Sequence, residues 1–233
     1  MPNWCYNEMT INAGEEEGAQ QQLDDFINTS VKSKKCVSNS GDIYYNEELT
    51  FQGVVPRPKE LDITAGGSVN DGIAYLKAKD GDFSDLNDFI KREWTYKGKD
   101  KLFDKDTPVK EKYNLAINYL EDKLDVNELT ESRLAMENIN KHGHKDWYWW
   151  SVDKWGTKWD ASTNSYDHDV GWVQIMFDTA WSPPEPWILA VSKKFPLLEI
   201  TVRVTEESDA FMGYICARNG KLATSYAEPA MPN

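Results

Sequence analysis

The run Leu198-Glu199-Ile200-Thr201-Val202-Arg203-Val204-Thr205 alternates apolar and polar side chains without a break. This two-residue period predicts a β-strand that buries one face and exposes the other. The preceding Ser182-Pro183-Pro184-Glu185 has the Ser-x-x-Glu spacing of a capping box, and apolar residues then recur at helical spacing up to the strand. Residues 171–179 also alternate, and residues 211–217 can return antiparallel. The C-terminal third therefore predicts the order β-α-β-β.

The N-terminal part predicts a related β-α-β unit. Residues 4–12 alternate approximately, which predicts a short strand. The acidic run at 15–17 favours the start of a helix, because negative charge stabilises a helix N-terminus, and the lysines between 32 and 35 suit its end. Residues 38–48 are predicted to be a loop. Residues 49–55 predict a second strand, which Pro56 ends.

The middle of the chain is predicted to be mainly helical. Residues 62–81 contain several glycines and predict an irregular connection. Helices are expected to begin at Ser84 and at Thr107-Pro108, and to cover residues 128–139 and, more briefly, 146–155.

Two β-α-β units that bracket a helical segment predict an α+β fold of the ferredoxin-like type. In this sandwich, helices cover one face of an antiparallel sheet. We expect a single domain over residues 1–233. Its core is predicted at about 1–61 and 146–220, with a helical insertion at about 75–145.

The chain is acidic, with 26 Lys and Arg against 39 Asp and Glu and a net charge of −13. Binding to a phosphate backbone depends on cationic groups that displace counterions, so direct nucleic-acid binding is not expected. The first thirty residues contain no Lys or Arg, and their acidic groups predict a surface for a basic partner protein: Glu15, Glu16, Glu17, Asp24 and Asp25. The alternative is that this acidity serves solubility alone.

The sequence predicts a cytoplasmic protein with no membrane segment. The N-terminus lacks the basic start and apolar region of a signal peptide, and no apolar run approaches the roughly eighteen residues that a spanning helix needs. Cys5, Cys36 and Cys216 lie far apart without the spacing of a metal site or disulfide framework, so reduced thiols are expected.

Tryptophan is concentrated in one part of the chain, since eight of the ten lie between residues 147 and 187. Flat aromatic walls with polar neighbours can stack a nucleobase or bind a partner. The candidate ligand-binding residues are Trp155, Thr157, Lys158, Trp159, Asp178 and Trp181. The alternative is that these aromatic residues cover a small sheet as part of its core.

The three histidines, His142, His144 and His168, raise the possibility of a metal site, because imidazole and carboxylate together bind transition metals. His168 lies between Asp167 and Asp169, which suggests a metal-dependent hydrolase as one alternative. A surface loop is the simpler interpretation, and no metal and no cofactor are expected. The chain has no Gly-x-Ser-x-Gly motif, so no catalytic residue is assigned.

Four sequence blocks resemble a known family. They occur in order along residues 1–215, and they are Met1-Pro2-Asn3-Trp4-Cys5-Tyr6-Asn7, Phe51-Gln52-Gly53-Val54-Val55-Pro56-Arg57-Pro58-Lys59-Glu60-Leu61, Trp155-Gly156-Thr157-Lys158-Trp159-Asp160-Ala161 and Phe177-Asp178-Thr179-Ala180-Trp181-Ser182-Pro183-Pro184. With these blocks the chain resembles the YubB-like family of phage- and plasmid-borne proteins of unknown function, whose C-terminal domain is ferredoxin-like. The resemblance implies this fold and a mobile-element origin, and it implies no catalytic residues.

These observations favour a non-enzymatic accessory protein that binds and neutralises a host factor, such as a component of host defence. Two alternatives of other classes stay open. One is a protein that sequesters a nucleotide signal with its Trp-rich segment, and the other is an unrecognised metal-dependent hydrolase. The oligomeric state is not predicted.

Overall fold

The computed structural model of the chain describes residues 3–38, 40–96, 104, 106–208 and 210–227. Contacts between residues divide the chain into two units. One consists of Met1–Arg57 together with Trp150–Asn233, and the other consists of Pro58–Trp149. We refer to these as the first and the second unit. The single domain expected over residues 1–233 stays a prediction.

The first unit contains the β-strands of the chain's described part. In chain order its elements are β1 (Trp4–Ala13), α1 (Ala19–Ser30), β2 (Val31–Val37), β3 (Ile43–Leu49), β4 (Ser162–Asp169), β5 (Trp172–Ala180), α7 (Glu185–Lys194), β6 (Leu198–Glu206), β7 (Met212–Arg218) and β8 (Lys221–Ala227). A short 3₁₀ turn at Phe51–Gly53 follows β3. The second unit contains α2 (Gly67–Lys79), α3 (Ser84–Tyr96), α4 (Val109–Lys123) and α5 (Val126–His142), and α6 (Trp147–Trp155) follows them in the chain.

Six strands form one antiparallel sheet in the order β4-β5-β1-β6-β7-β8, and β2 pairs with β3 in a separate hairpin. The inner part, β1-α1-β4-β5-α7-β6, has the β-α-β-β-α-β order of a ferredoxin-like fold, with its second strand at one edge and β1 between β5 and β6. The predicted ferredoxin-like α+β fold is confirmed. The hairpin and the helical segment lie in the chain between α1 and β4, and β7 and β8 extend the sheet beyond β6.

One face of the sheet packs against α1 and α7. Met9 of β1, Ile175 of β5 and Val202 of β6 are fully buried on this face, and Phe26 of α1 meets Trp187 of α7 with ring centroids 6.4 Å apart. Burial of these apolar side chains is the main favourable contribution to folding. The opposite face, which we call the open sheet face, exposes large side chains on alternate positions, namely Tyr6, Met176, Met212 and Tyr214.

Phe51 is the centre of the aromatic core of the first unit. Its ring centroid lies 5.8 Å from that of Trp155, 6.1 Å from that of Phe177 and 4.7 Å from that of Trp187. Residues 49–55, predicted to be a strand, instead place Phe51 at the start of the 3₁₀ turn. The turn brings Gly53 against the end of α1, where an added Cβ would lie 2.0 Å from the carbonyl oxygen of Thr29.

Residues 15–48 correct several further predictions. The acidic residues 15–17 precede α1 rather than forming its first turn, and the helix ends at Ser30. The lysines at 32, 34 and 35 lie on β2, and residues 38–48, predicted to be a loop, contain most of β3. These strands are exposed on both faces over most of their length, so they lack the one-sided apolar alternation by which a strand is recognised in sequence.

Two predictions about helices are also corrected. Residues 62–81, predicted to be irregular, contain α2, and its Gly72 permits close packing because an added Cβ would lie 2.0 Å from Oγ of Ser132 in α5. Ser182 does not cap α7, whose N-cap residue is Pro184. The Ser182 hydroxyl instead donates a 2.6 Å hydrogen bond to the carbonyl oxygen of Gly156.

The remaining element predictions agree with the structure. The strands predicted from residues 4, 171, 198 and 211 correspond to β1, β5, β6 and β7, and the predicted helices in the middle of the chain correspond to α3, α4, α5 and α6. The sequence does not predict β4, whose residues are mostly polar, or β8, whose residues are mostly exposed and show no one-sided burial. Within the described ranges, no helix is both long and apolar enough to cross a membrane.

We predict that Gly53→Ala destabilises the protein by about 2 kcal/mol or more, because its methyl group would clash with the backbone of Thr29. Gly67→Ala is the matched control, since an added Cβ there has no neighbour within 4 Å. Urea unfolding followed by circular dichroism gives both free energies of unfolding. Equal stability of the two variants would contradict the packing described for the 3₁₀ turn.

Burial raises the pKa of the Cys5 thiol from 9.0 to about 12, although a hydrogen bond with Thr179 opposes the shift. The folded protein thus retains this proton more strongly than the unfolded chain. The contribution of the protonated Cys5 thiol to stability is complete below pH 9.0 and is lost as pH rises toward about 12.

We predict that a thiol reagent at about pH 8 modifies exposed Cys216 rapidly and Cys5 only after unfolding, as peptide mapping would show. Prompt modification of Cys5 in the folded protein would contradict its burial.

Candidate functional site

The predicted Trp-rich site divides into an interior part and a surface part. Trp155 is fully buried, and its indole N–H donates a 2.9 Å hydrogen bond to the carbonyl oxygen of Val55. Thr157 is also buried, where its hydroxyl donates to the carbonyl oxygen of Ala180 at 2.9 Å and accepts from the Ala180 N–H at 3.1 Å. Both residues therefore stabilise the fold and are not available to a ligand.

Three other members of the predicted set meet at the surface. Trp159 is 40% exposed and Trp181 is 50% exposed. The Lys158 ammonium lies 3.9 Å from the ring centroid of Trp159 and 5.7 Å from that of Trp181, within the range of cation–π attraction. Sequence reasoning missed Trp4, whose ring centroid is 5.9 Å from that of Trp159. We call Trp4, Lys158, Trp159 and Trp181 the tryptophan cluster.

The register of the sheet explains why Trp4 joins the cluster. Trp4 lies opposite Ala180 in the β1–β5 ladder. Ala180 immediately precedes Trp181 in the chain. The Trp181 N–H continues this pairing with a 2.9 Å hydrogen bond to the carbonyl oxygen of Asn3. No local sequence signal links residue 4 to residue 181, and only the strand pairing brings them together.

Trp181 has a left-handed backbone conformation, with φ of 75°. This conformation is unfavourable for a bulky side chain and costs about 1–3 kcal/mol. Hydrogen bonds on either side keep the backbone in place: Asn3 accepts from the Trp181 N–H, and the Ser182 carbonyl accepts from the Thr179 hydroxyl at 2.8 Å. A strained residue whose side chain is half exposed gains little from packing, which makes Trp181 a functional candidate.

The sixth predicted residue, Asp178, lies beside the cluster on the open sheet face. Its carboxylate accepts a 2.8 Å hydrogen bond from the side-chain amide of Asn164. A depression of about 350 Å³ lies around it, with Tyr6, Met176 and Arg203 among its lining residues. Trp4 and Tyr6 are on the same face of β1, since side chains alternate along a strand. The tryptophan cluster and the depression therefore form one continuous surface.

The predicted acidic partner surface is exposed but engaged in local contacts. Glu16 forms a salt bridge with Arg218, whose other guanidinium nitrogen contacts Glu199 at 2.6 Å. Asp24 and Asp25 on α1 each accept a 2.9 Å hydrogen bond from a glutamine four residues earlier. Glu15 and Glu17 lie in the exposed turn before α1. Glu15, Glu16 and Glu17 thus precede α1, whereas Asp24 and Asp25 lie in its middle, and their role in binding stays a prediction.

His168 lies on β4, and its ring is 5.1 Å from that of Tyr166. Successive strand residues point to opposite faces, so His168 points away from both Asp167 and Asp169. Each aspartate accepts a hydrogen bond from the backbone N–H of the next residue. In the part of the chain that the structure describes, no group of three or more His, Cys, Asp or Glu side chains could hold a metal ion.

Comparison with known protein families agrees with this fold. Residues 154–231, which include β4 to β8 and α7, match a family described as a ferredoxin-like domain in Api92-like protein. The crystal structure of the protein Api92 from Yersinia pseudotuberculosis is similar at a TM-score of 0.37 and 13% sequence identity, with 100% of both chains covered. No curated protein sequence matches the chain significantly.

We predict that two tryptophans, Trp155 and Trp159, differ sharply in their effect on stability. Trp155→Ala should lower the free energy of unfolding by about 3–5 kcal/mol, because it removes a buried ring and leaves the Val55 carbonyl unpaired. Trp159→Ala should change it by about 1 kcal/mol or less, because the ring is 40% exposed. Chemical denaturation of both variants measures the difference, and a large loss with Trp159→Ala would place this ring in the core instead.

Proposed function

We propose that this protein is a non-enzymatic binding protein whose tryptophan cluster and open sheet face bind a protein partner. The main observation in support is Trp181, a half-exposed indole that the protein maintains in an unfavourable backbone conformation. Glycine at this position would avoid that cost, so the exposed ring is expected to contribute to binding.

The composition of the surface supports a protein partner. Tryptophan, tyrosine, methionine and arginine are the residues enriched at the centres of protein interfaces. The open sheet face and the tryptophan cluster together present these types: Trp4, Tyr6, Trp159, Met176, Trp181, Arg203, Met212 and Tyr214. By lying against two indole rings, Lys158 restricts their motion and so reduces the entropy lost on binding.

The resemblance to the YubB-like family supplies the proposed biological setting. We infer a phage- or plasmid-borne protein that acts in the host cytoplasm and neutralises a host factor, such as a defence component. The net charge of −13 would accelerate association with a partner that carries a basic surface, because long-range electrostatic attraction raises the encounter rate. Glu15, Glu17, Asp24 and Asp25 are exposed residues that would contribute to this attraction.

A nucleotide signal is the second candidate ligand. One observation favours it: the Lys158 ammonium lies against two exposed indoles and, among the described residues, has no carboxylate within salt-bridge distance. A base could stack on an indole while a phosphate contacts this ammonium. Titration with cyclic and ADP-ribose-type nucleotides, followed by tryptophan fluorescence, tests this ligand separately from a protein partner.

We predict that Trp181→Gly separates binding from stability. Glycine adopts the left-handed conformation without strain, so the free energy of unfolding should change by about 1 kcal/mol or less. Loss of an interface hot spot should weaken partner binding by about 2 kcal/mol, or roughly thirtyfold. The measurement is affinity capture from host lysate with quantitative mass spectrometry, followed by titration of the purified partner.

Trp149→Ala is the matched control, because Trp149 is 59% exposed but lies outside the cluster. A partner that binds the wild type and the Trp149→Ala variant equally, and the Trp181→Gly variant much more weakly, supports the proposal. A partner bound equally by all three proteins would show that the tryptophan cluster is not the binding surface.

A further inference from the structure

The β2–β3 hairpin extends from a buried base to an exposed end. At the base, Val31 pairs with Leu49, and both side chains are buried. The Leu49 N–H donates a 2.8 Å hydrogen bond to the hydroxyl of Thr163 in β4, which positions β3 beside the main sheet. Beyond the base, most side chains on both strands are exposed.

The exposed end of the hairpin has an apolar side. Val37 and Ile43 are directly opposite each other and are 63% and 56% exposed. Tyr45, two residues from Ile43 and therefore on the same face, is 64% exposed. A hairpin of two strands is only marginally stable in water, and adjacent exposed apolar groups mark interaction sites. This segment would gain stability from a further strand.

The outer edge of β2 is available to such a strand. Among the described residues, β2 forms its backbone ladder with β3 alone, while the other side of β3 lies toward β4. The outward N–H and C=O groups of an edge strand can pair with an extended segment of another chain.

The charges on β2 indicate what kind of segment fits. The strand carries Lys32, Lys34 and Lys35 and no acidic residue. Lys34 pairs with Glu48 at 2.8 Å and the Lys32 ammonium contacts the carbonyl oxygen of Asn28, whereas Lys35 has no ion pair within the described residues. Two copies of this edge would repel each other, which disfavours pairing between identical chains. An acidic segment would be attracted.

We propose that the outer edge of β2 binds an acidic, extended segment of another protein, which adds to the hairpin as a third strand. The lysines provide charge complementarity, and Val37 of β2, backed by Ile43 on β3, contacts an apolar side chain of the added strand. This surface is distinct from the tryptophan cluster, and the inference does not rest on the function proposed above.

The test uses the full chain and a capped seven-residue peptide of alternating Glu and Val. Nuclear magnetic resonance titration gives the dissociation constant, and hydrogen exchange reports protection of individual backbone amides. We predict slower exchange at the alternate amides of residues 32–37 that face the outer edge, and weaker binding at higher salt concentration, because exposed charges are screened. The matched peptide of alternating Lys and Val should bind at least about tenfold more weakly.

Charge reversal then tests the lysines. The triple variant Lys32→Glu, Lys34→Glu and Lys35→Glu should weaken binding of the acidic peptide about tenfold or more, whereas replacing the same residues with arginine should change it by about threefold or less. Val37→Thr retains a β-branched side chain on the edge strand itself and should weaken binding through loss of apolar contact. Unchanged amide chemical shifts in the β1–β5–β6 region show that each variant is folded.

The proposal is overturned if the acidic peptide leaves the β2 amides unprotected, if both peptides bind equally, or if charge reversal in a folded variant has no effect. Trp181→Gly should not alter peptide binding. Failure of the hairpin to bind is thereby distinguished from failure of the tryptophan cluster to bind its partner.

Discussion

Two indole N–H groups donate to backbone carbonyls of a single short segment, and the packing of the first unit depends on this arrangement. Trp187 donates to the carbonyl of Phe51 at 3.2 Å, and Trp155 donates to that of Val55 at 2.9 Å. The Asp160 carboxylate accepts from the Phe51 N–H at 2.6 Å. A buried irregular segment requires such partners, because its polar backbone groups would otherwise be unsatisfied. The Phe51 ring then occupies the space between α6, α7 and β5, so the chain segments on either side of the helical insertion share one core.

This arrangement also explains the sequence blocks that resemble a known family. Phe51, Trp155 and Phe177 come from three different blocks. The ring centroid of Phe51 lies 5.8 Å from that of Trp155 and 6.1 Å from that of Phe177. Gly53 belongs to the same block as Phe51 and is required where the turn approaches Thr29. These residues are therefore explained by packing. The same blocks also contain Trp159 and Trp181, whose exposed rings are not explained by packing.

The excess of tryptophan has two physical origins. Trp155 and Trp187 fill the core, where large rings and satisfied indole N–H groups stabilise the sheet and its helices. Trp159 and Trp181 remain half exposed around the Lys158 ammonium, and Trp181 does so at a cost in backbone strain. The β2–β3 hairpin is a different kind of surface, with a basic strand in an acidic protein and an outer edge that pairs with no other described strand. The two surfaces suit partners of different chemistry.

Sequence patterns alone predict the strands that are buried on one side, β1, β5 and β6, because one-sided burial produces an alternating pattern. They also indicate α3, α4 and α5 through apolar residues at helical spacing. They do not indicate β2, β3, β4 and β8, whose exposed faces impose no such pattern, nor α2, where Gly72 is needed only because Ser132 lies against it. The sequence predicts the candidate site within residues 155–181. In the structure Trp155 and Thr157 are buried, and Trp4, which is distant in sequence, lies beside Trp159 at the surface. Only the pairing of β1 with β5 could decide this, because the register of a sheet depends on contacts between residues that are distant in sequence.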